Sequence, residues 1–272
     1  MAVEIREIQR FSEVRAAEEL QKEVWGFGDR DLVPMMQLVA TRHAGGLLLG
    51  AFDGSHLVGL AYGFVGWVEG KVVLHSQLLA VKEAYRSQEI GYRLKLAQRE
   101  RTMDKGIACM TWTFDPLHSL NAHLNFCKLG VTARRYCVDF YGTGTSSFLH
   151  KGIGTDRLWV HWRLDSPRVK QRIAGKRPSP LSPKAEAVPF LVALENDAPG
   201  KSDLPRGAHP LRIEVPYNVS SLLHERPQLA REWRSATRKA FMIAFDAGYL
   251  LEEFYRAVGS RPFGVYVLTL GT

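Results

Sequence analysis

The chain has 272 residues, 46% of them apolar, enough to bury a real core in one or two domains. Its 36 Lys and Arg against 28 Asp and Glu leave a net charge of +8, but the signs alternate nearly everywhere except Arg168–Lys184. That pattern disfavours nucleic-acid binding, which needs clustered Lys and Arg, and fits attraction of an anionic small ligand.

No stretch approaches the roughly 20 apolar residues of a membrane span, and Met1–Glu7 has no signal-peptide core. Cys109, Cys127 and Cys137 lie far apart without C-x-x-C spacing. A reducing cytoplasmic setting is therefore expected, with no disulfide framework and no metal.

In chain order, Val3–Ile8 alternates as a strand does. Ser12 is placed to cap a helix whose Val14, Ala17, Leu20 and Val24 share one face, ended by Gly26 and Gly28. Asp31–His43 reads as a second helical segment. Gly46–Asp53 and His56–Val68 are apolar strands joined by the turn Asp53-Gly54, and Glu69-Gly70 turns into Val72–Val81. After a short basic loop a helix runs from about Gly91 to Lys105 and stops at Gly106. Cys109–Phe114 is a strand, Ser119–Lys128 a helix closed by Gly130, and Val131–Tyr141 and Leu158–Leu164 are strands.

Composition changes at Asp165. Eight of the thirteen prolines fall between Pro167 and Pro210, and the basic residues from Arg168 to Lys184 have no acid among Arg168, Lys170, Arg172, Lys176, Arg177 and Lys184. Residues 166–210 therefore read as linker, interrupted by a strand-like run at Val188–Leu194. Leu211–Val215 is a strand and Gly264–Leu270 another. Between them Pro227–Ala247 is a helix with Trp233, Thr237, Phe241 and Phe245 on one face, a face expected to be core. Residues 211–272 thus form a smaller strand–helix–strand subdomain after a first domain at 1–165.

The functional signal centres on Val81–Gln98. A strand, a tight loop and a helix start follow one another, and the first amides of a helix have no partner inside it. A phosphate is favoured there, and Gly91 lets a ligand approach the backbone. Gln88-Glu89-Ile90-Gly91 resembles the Q/R-x-x-G-x-G/A signature of the GNAT superfamily of acyl-CoA N-acyltransferases, with Arg93 where Gly or Ala is usual and Glu89 where Gly is common. Trp112-Thr113-Phe114-Asp115-Pro116-Leu117, followed by Asn121-Ala122, Asn125 and Leu129-Gly130, resembles a little-characterised branch of predicted acetyltransferases in that superfamily. Tyr141-Gly142 and Thr155-Asp156-Arg157-Leu158 continue the pattern.

The resemblance implies an α/β (α+β) fold over roughly residues 1–165. Its sheet would be mixed and mostly antiparallel, flanked by helices and splayed near the phosphate loop. It implies acetyl-CoA as co-substrate, held by backbone groups of Leu79, Ala80 and Val81 and by the loop Arg86, Ser87, Gln88, Glu89, Ile90, Gly91 and Tyr92, with Asn121 (and His118) near the coenzyme. The usual leaving-group acid is a tyrosine in the helix ending Leu-Gly, where this chain has Phe126; Tyr136 and Tyr141 are the substitutes.

For the base, His75 stands on the strand entering the loop and suits proton abstraction near neutral pH. Asp115 is the alternative, or a cap of the helix that follows. The expected partner is a small-molecule amine, with a homodimer left open, no membrane and nucleic acid disfavoured. Two functions remain: an N-acyltransferase acting on a small primary amine, or a catalytically inactive GNAT-fold protein that binds coenzyme A in a regulatory role.

Overall fold

Apolar runs broken by Asp53-Gly54 and Glu69-Gly70 build the first half of the chain. A computed structural model describes residues 3–142, 152–176, 188–195, 197–201, 203, 204, 207, 209–257 and 263–271. These fall into two compact units, 3–112 and 113–271.

In the first unit the order is β1 (Glu4–Glu7), α1 (Phe11–Trp25), α2 (Met35–His43), β2 (Leu47–Asp53), β3 (His56–Val68), β4 (Lys71–Val81), a short 3₁₀ turn at Glu83–Tyr85, α3 (Ile90–Asp104) and most of β5 (Cys109–Phe114). The strands lie in sequence order, antiparallel from β1 to β4, and β5 runs parallel to β4. One face buries Leu60, Tyr62, Leu78 and Ala80 beneath Val14, Ala17 and Leu20 of α1. The other buries Leu49, Ala51 and Ala61 beneath Ile90 and Leu94 of α3. The Ser12 cap is corrected: Ser12 lies inside α1, whose N-cap is Arg10, two residues earlier. The Glu13 carboxylate, not a hydroxyl, accepts the Gln9 and Arg10 amides.

The second unit begins with α4 (Ser119–Ala122), which runs into a π-helical stretch, His123–Leu129, ended by Gly130 at φ 75°. β6 (Thr132–Cys137), β7 (Arg157–Arg163), α5 (Pro167–Ile173), β8 (Phe190–Glu195), β9 (Ala198–Lys201), β10 (Leu211–Pro216), α6 (Val219–Glu225), α7 (Pro227–Asp246), β11 (Tyr249–Ala257) and β12 (Phe263–Leu270) follow. The strand order is β7-β6-β11-β12-β10-β8-β9, antiparallel except for β10 with β8.

Both units thus have mixed, mostly antiparallel sheets with helices against them. Trp233, Thr237 and Phe241 of α7 are buried as core, each large apolar side chain contributing roughly 1.5–3 kcal/mol. The C-terminal strands share this unit with β6: Leu251 pairs with Ala133, and the Cys127 thiol donates to the Phe254 carbonyl.

Three elements lie within the expected linker, α5, β8 and β9. α5 is capped by Ser166, whose hydroxyl accepts the Val169 amide, and Arg168 and Arg172 both donate to Glu253; of the expected basic cluster Arg168–Lys184, the part from Arg177 on lies outside the described residues. No described helix is long and apolar enough to cross a membrane.

Candidate functional site

The loop after β4 places two non-glycine residues in the left-handed region, Ser87 at φ 70° and Glu89 at φ 57°. Such conformations are uncommon outside glycine and cost of order 1–3 kcal/mol each. Glu89 is the residue before α3, and its side chain does not cap the helix. The first amides of an α-helix have no acceptor within it, and here Arg93 N–H closes back onto the Glu89 carbonyl.

Arg86, Ser87, Gln88 and Glu89 are exposed, Ile90 is buried, and Gly91 and Tyr92 are half-buried. A Cβ on Gly91 would meet only Leu79 Cδ2 and Val81 Cγ2, each at 3.9 Å. The fold itself does not require glycine there. Arg93, the departure from the signature, turns away from the loop and donates to the Val3 carbonyl, 2.6 Å.

β4 is paired along its whole length with β3 but among the described residues meets β5 only at Leu74–Met110 and His75–Thr111. Beyond His75 the two parallel strands part. At the parting point β4 is bulged: Leu78 faces Tyr62 and His75 faces Phe64, so Ser76 and Gln77 together oppose Gly63. Gly63 is needed for this, since a Cβ would lie 2.9 Å from the His75 carbonyl oxygen.

Lys82 N–H donates to the Val58 carbonyl. Antiparallel alternation then turns the polar groups of Ala80 toward β3 and those of Leu79 and Val81 toward the open side. Arg86 Nε reaches the Val81 carbonyl at 3.4 Å. Of the three expected backbone groups, those of Leu79 and Val81 face the open side, with the Val81 carbonyl accepting from Arg86, and Ala80 is engaged in the sheet.

His75 is buried, with Nδ1 3.0 Å from the Thr111 hydroxyl and its ring 5.3 Å from that of Phe64. Burial first, and Lys95 second, lower its pKa to about 4, so the imidazole is neutral and weakly basic at pH 7. Phe64 also lines a concavity of about 300 Å³ with Gln37, Ala40 and Thr41 of α2.

On the opposite face, facing α3, Ser76, Lys95 and Gln98 bring polar groups into the interior beside the apolar cluster of Ile90 and Leu94. Lys95, 2% exposed, donates from Nζ to Ser76 Oγ at 2.7 Å and lies 3.7 Å from the centre of the Trp112 ring. Ser76 Oγ donates to Gln98 Oε1 at 2.9 Å, and Gln98 Nε2 is buried without a partner. No carboxylate among the described residues pairs with Lys95. Burial pushes its pKa well below the ordinary lysine value. The Trp112 face attracts the ammonium by about 2 kcal/mol when desolvated, less than the several kcal/mol that burial costs a charge.

Asp115 and Tyr136 lie in the second unit. Asp115 Oδ1 accepts the Leu117 amide at 2.9 Å, and Oδ2 pairs with Arg234 at 2.5 Å. Burial alone would raise its pKa, but Arg234, then His118, hold the carboxyl well below the usual range. It is a buried anion fastened to a cation. Tyr136 donates to Asp156 Oδ2 at 2.6 Å and stacks on Phe241 at 5.6 Å. Burial pushes its phenol far up. Asp156 also receives both Arg238 Nε and Nη2 at 2.7 Å. Asn121 is exposed on α4, and Phe126 is fully buried, edge-on to Phe114 and Tyr266.

Sequence reasoning passed over Ser76, Lys95 and Gln98. The signal available was the inward spacing Lys95, Gln98, Thr102, all buried on α3, a polar stripe where a helix usually presents apolar residues.

No family model and no curated protein matches the chain. Solved structures do resemble it. The ribosomal-protein-S18-alanine N-acetyltransferase of Escherichia coli aligns at 13% identity and TM-score 0.46, over 61% of this chain and 96% of that one. A GNAT-family acetyltransferase of Streptococcus pneumoniae aligns at 13% and 0.47, over 59% and 98%. An aminoglycoside 6'-N-acetyltransferase complexed with coenzyme A aligns at 14% and 0.44, over 60% and 98%. At this distance no residue's role follows from them.

Proposed function

We propose that the chain is an acyl-CoA-dependent N-acyltransferase, with acetyl-CoA as donor and a small primary amine as acceptor. The observation that carries this reading is one continuous surface of the first unit. β4 parts from β5 after His75, turns the polar groups of Leu79 and Val81 to the open side, and leads through Arg86–Glu89 into an uncapped helix whose Gly91 the fold does not need. An elongated ligand with an anionic diphosphate at one end and an amide-bearing arm at the other matches it. The first-turn amides of α3 would hold the diphosphate, and the free β4 edge would hold the arm and polarise the thioester carbonyl.

Transfer then needs a proton taken from the amine and one returned to the departing thiolate. A second reading, a coenzyme-binding protein without turnover, is favoured by one observation. Phe126, where the resemblance expects the tyrosine acid, is a hydroxyl-free ring in the core of the second unit.

The test is thermal shift with acetyl-CoA and longer acyl-CoAs, followed by thiol release in the presence of a panel of primary amines. At a ligand concentration a hundred times Kd, binding adds about 2.7 kcal/mol, a rise of roughly 5–10 °C for a chain of this size. Absence of any shift removes both readings; a shift without turnover across the panel leaves the second.

A further inference from the structure

We propose that Ser76 and Lys95 are the proton shuttle of this transfer, Ser76 meeting the reacting atoms and Lys95 acting through it; the proposal rests on the acyltransferase reading. Three observations carry it. Ser76 is the first residue past the point where β4 and β5 separate, in the bulge opposite Gly63, beside the place where the open β4 edge would present a thioester carbonyl. Lys95 Nζ is 2.7 Å from its hydroxyl, and no acid among the described residues compensates the lysine. A lysine kept only for structure reaches solvent or a carboxylate.

Third, Gln98 accepts from Ser76 through Oε1 while its Nε2 is buried without an acceptor. Turning that amide over brings Nε2 to Ser76 Oγ and frees the serine proton to point at the lysine lone pair. The pair then has a resting and a base-ready arrangement without moving the backbone.

The surroundings favour a neutral amine. From β4 the titratable neighbour is His75, which burial keeps neutral. On α3, Tyr92 and Arg99 lie one turn away, both half-buried. β5 contributes Trp112, and the α3-facing residues of β2 and β3, Leu49, Ala51 and Ala61, are apolar.

In the forward step the amine nitrogen attacks the thioester carbon and the C–N bond forms. Its N–H proton passes to Ser76 Oγ as the serine proton passes to Lys95 Nζ. The tetrahedral adduct collapses, the C–S bond breaks with its electron pair leaving on sulfur, and the proton on Lys95 returns through Ser76 to that sulfur. Amide and free thiol result, and the pair is restored. One relay thereby supplies both the base, for which His75 is weak, and the acid that Phe126 lacks.

The experiment measures thiol release from acetyl-CoA, with hydroxylamine and with the primary-amine panel as acceptors, across pH 5–9, for wild type, Ser76→Ala, Lys95→Met and Lys95→Arg. Thermal shift by acetyl-CoA is recorded for each. Lys95→Met replaces a buried amine that has no acid partner among the described residues by an apolar side chain of similar length, so it should fold about as well as the parent and keep its acetyl-CoA shift. Its turnover should fall about a hundredfold to ten-thousandfold. The wild-type acid limb, where activity is lost as Lys95 gains a proton, should vanish.

Lys95→Arg keeps the donors but cannot be deprotonated, and should not rescue. Wild-type turnover and pH profile in Lys95→Met, or rescue by Lys95→Arg, overturns the shuttle and leaves the acyltransferase reading standing. A wild type that neither binds acetyl-CoA nor releases thiol overturns both.

Discussion

Gly91→Asp separates ligand recognition from folding in a single substitution. Gly91 sits in the first turn of α3 with φ outside the left-handed region, and a Cβ there has only two contacts, at 3.9 Å. Replacing glycine in a helix removes part of a cost of about 0.5–1 kcal/mol, and a carboxylate in the first turn contributes a further 0.3–1 kcal/mol or so against the macrodipole. The variant should therefore be more stable by about 0.5–1.5 kcal/mol, a rise in Tm of roughly 1–6 °C.

The same carboxylate lies where the diphosphate would sit. One pair of like charges about 4 Å apart near a protein surface repels by up to about 4 kcal/mol. A loss of about 3 kcal/mol is already over a hundredfold in Kd. Calorimetric titration with acetyl-CoA beside a melting curve reads both quantities. Unchanged affinity in a stable variant would refute the placement of the coenzyme at this helix, and a destabilised variant would refute the reading that the fold has no need of the glycine.

Glu89→Gly removes both a left-handed non-glycine residue and a negative charge from the loop. Stability should rise by about 1 kcal/mol in urea titration, and acetyl-CoA should bind more tightly. Arg234→Met strands the buried Asp115 carboxylate and should cost about 3–5 kcal/mol; chemical denaturation checks this, and a smaller loss in the Asp115→Leu, Arg234→Met double variant identifies the stranded charge as the cause.

His75 makes the fold acid-sensitive. Its folded pKa of about 4 lies below an unfolded value near 6.5, so the unfolded chain binds more protons between them. Stability is intact above about pH 6.5 and falls toward pH 4 by at most about 3 kcal/mol. This loss should be absent in His75→Gln, and an NMR titration of His75 near pH 6.5 would contradict it.

Much of the first unit is legible because its local signals agree. Asp53-Gly54 and Glu69-Gly70 bracket apolar strands, and Gly106 ends α3 where its polar stripe ends. α7 is legible for the same reason, with aromatic residues at helical spacing turned inward. β11 is not. Its Glu252, Glu253 and Arg256 break any alternation, and Glu253 Oε1 is held by Arg168 and Arg172, more than eighty residues away.

α5 is hidden by its composition, although Ser166 and Pro167 are ordinary helix-start residues. At the site the phosphate loop is a local signal. The bulge at Ser76 and Gln77 is not, because it exists only through pairing with Gly63. Lys95 looks like a solvated helix charge until the sheet covers it.

Phe126→Tyr shows how this difference reverses an expectation. From the motif alone, restoring the hydroxyl at this position should raise the rate if thiolate protonation limits it. In the structure the Phe126 ring is fully buried, 6.1 Å from the Phe114 ring and 5.9 Å from that of Tyr266, both edge-on. The Tyr266 hydroxyl already donates to the Pro116 carbonyl at 2.7 Å. An added hydroxyl overpacks this cluster, at about 1–3 kcal/mol, and is desolvated without an assigned acceptor, at about 1–3 kcal/mol more. The net loss should be about 2–6 kcal/mol, a fall in Tm of roughly 4–24 °C, with no gain in thiol release from acetyl-CoA. A variant that melts with the parent and turns over faster would mean that this ring borders a cleft reached by the coenzyme. Turnover would then rest on a tyrosine-type acid at this position rather than on Ser76 and Lys95.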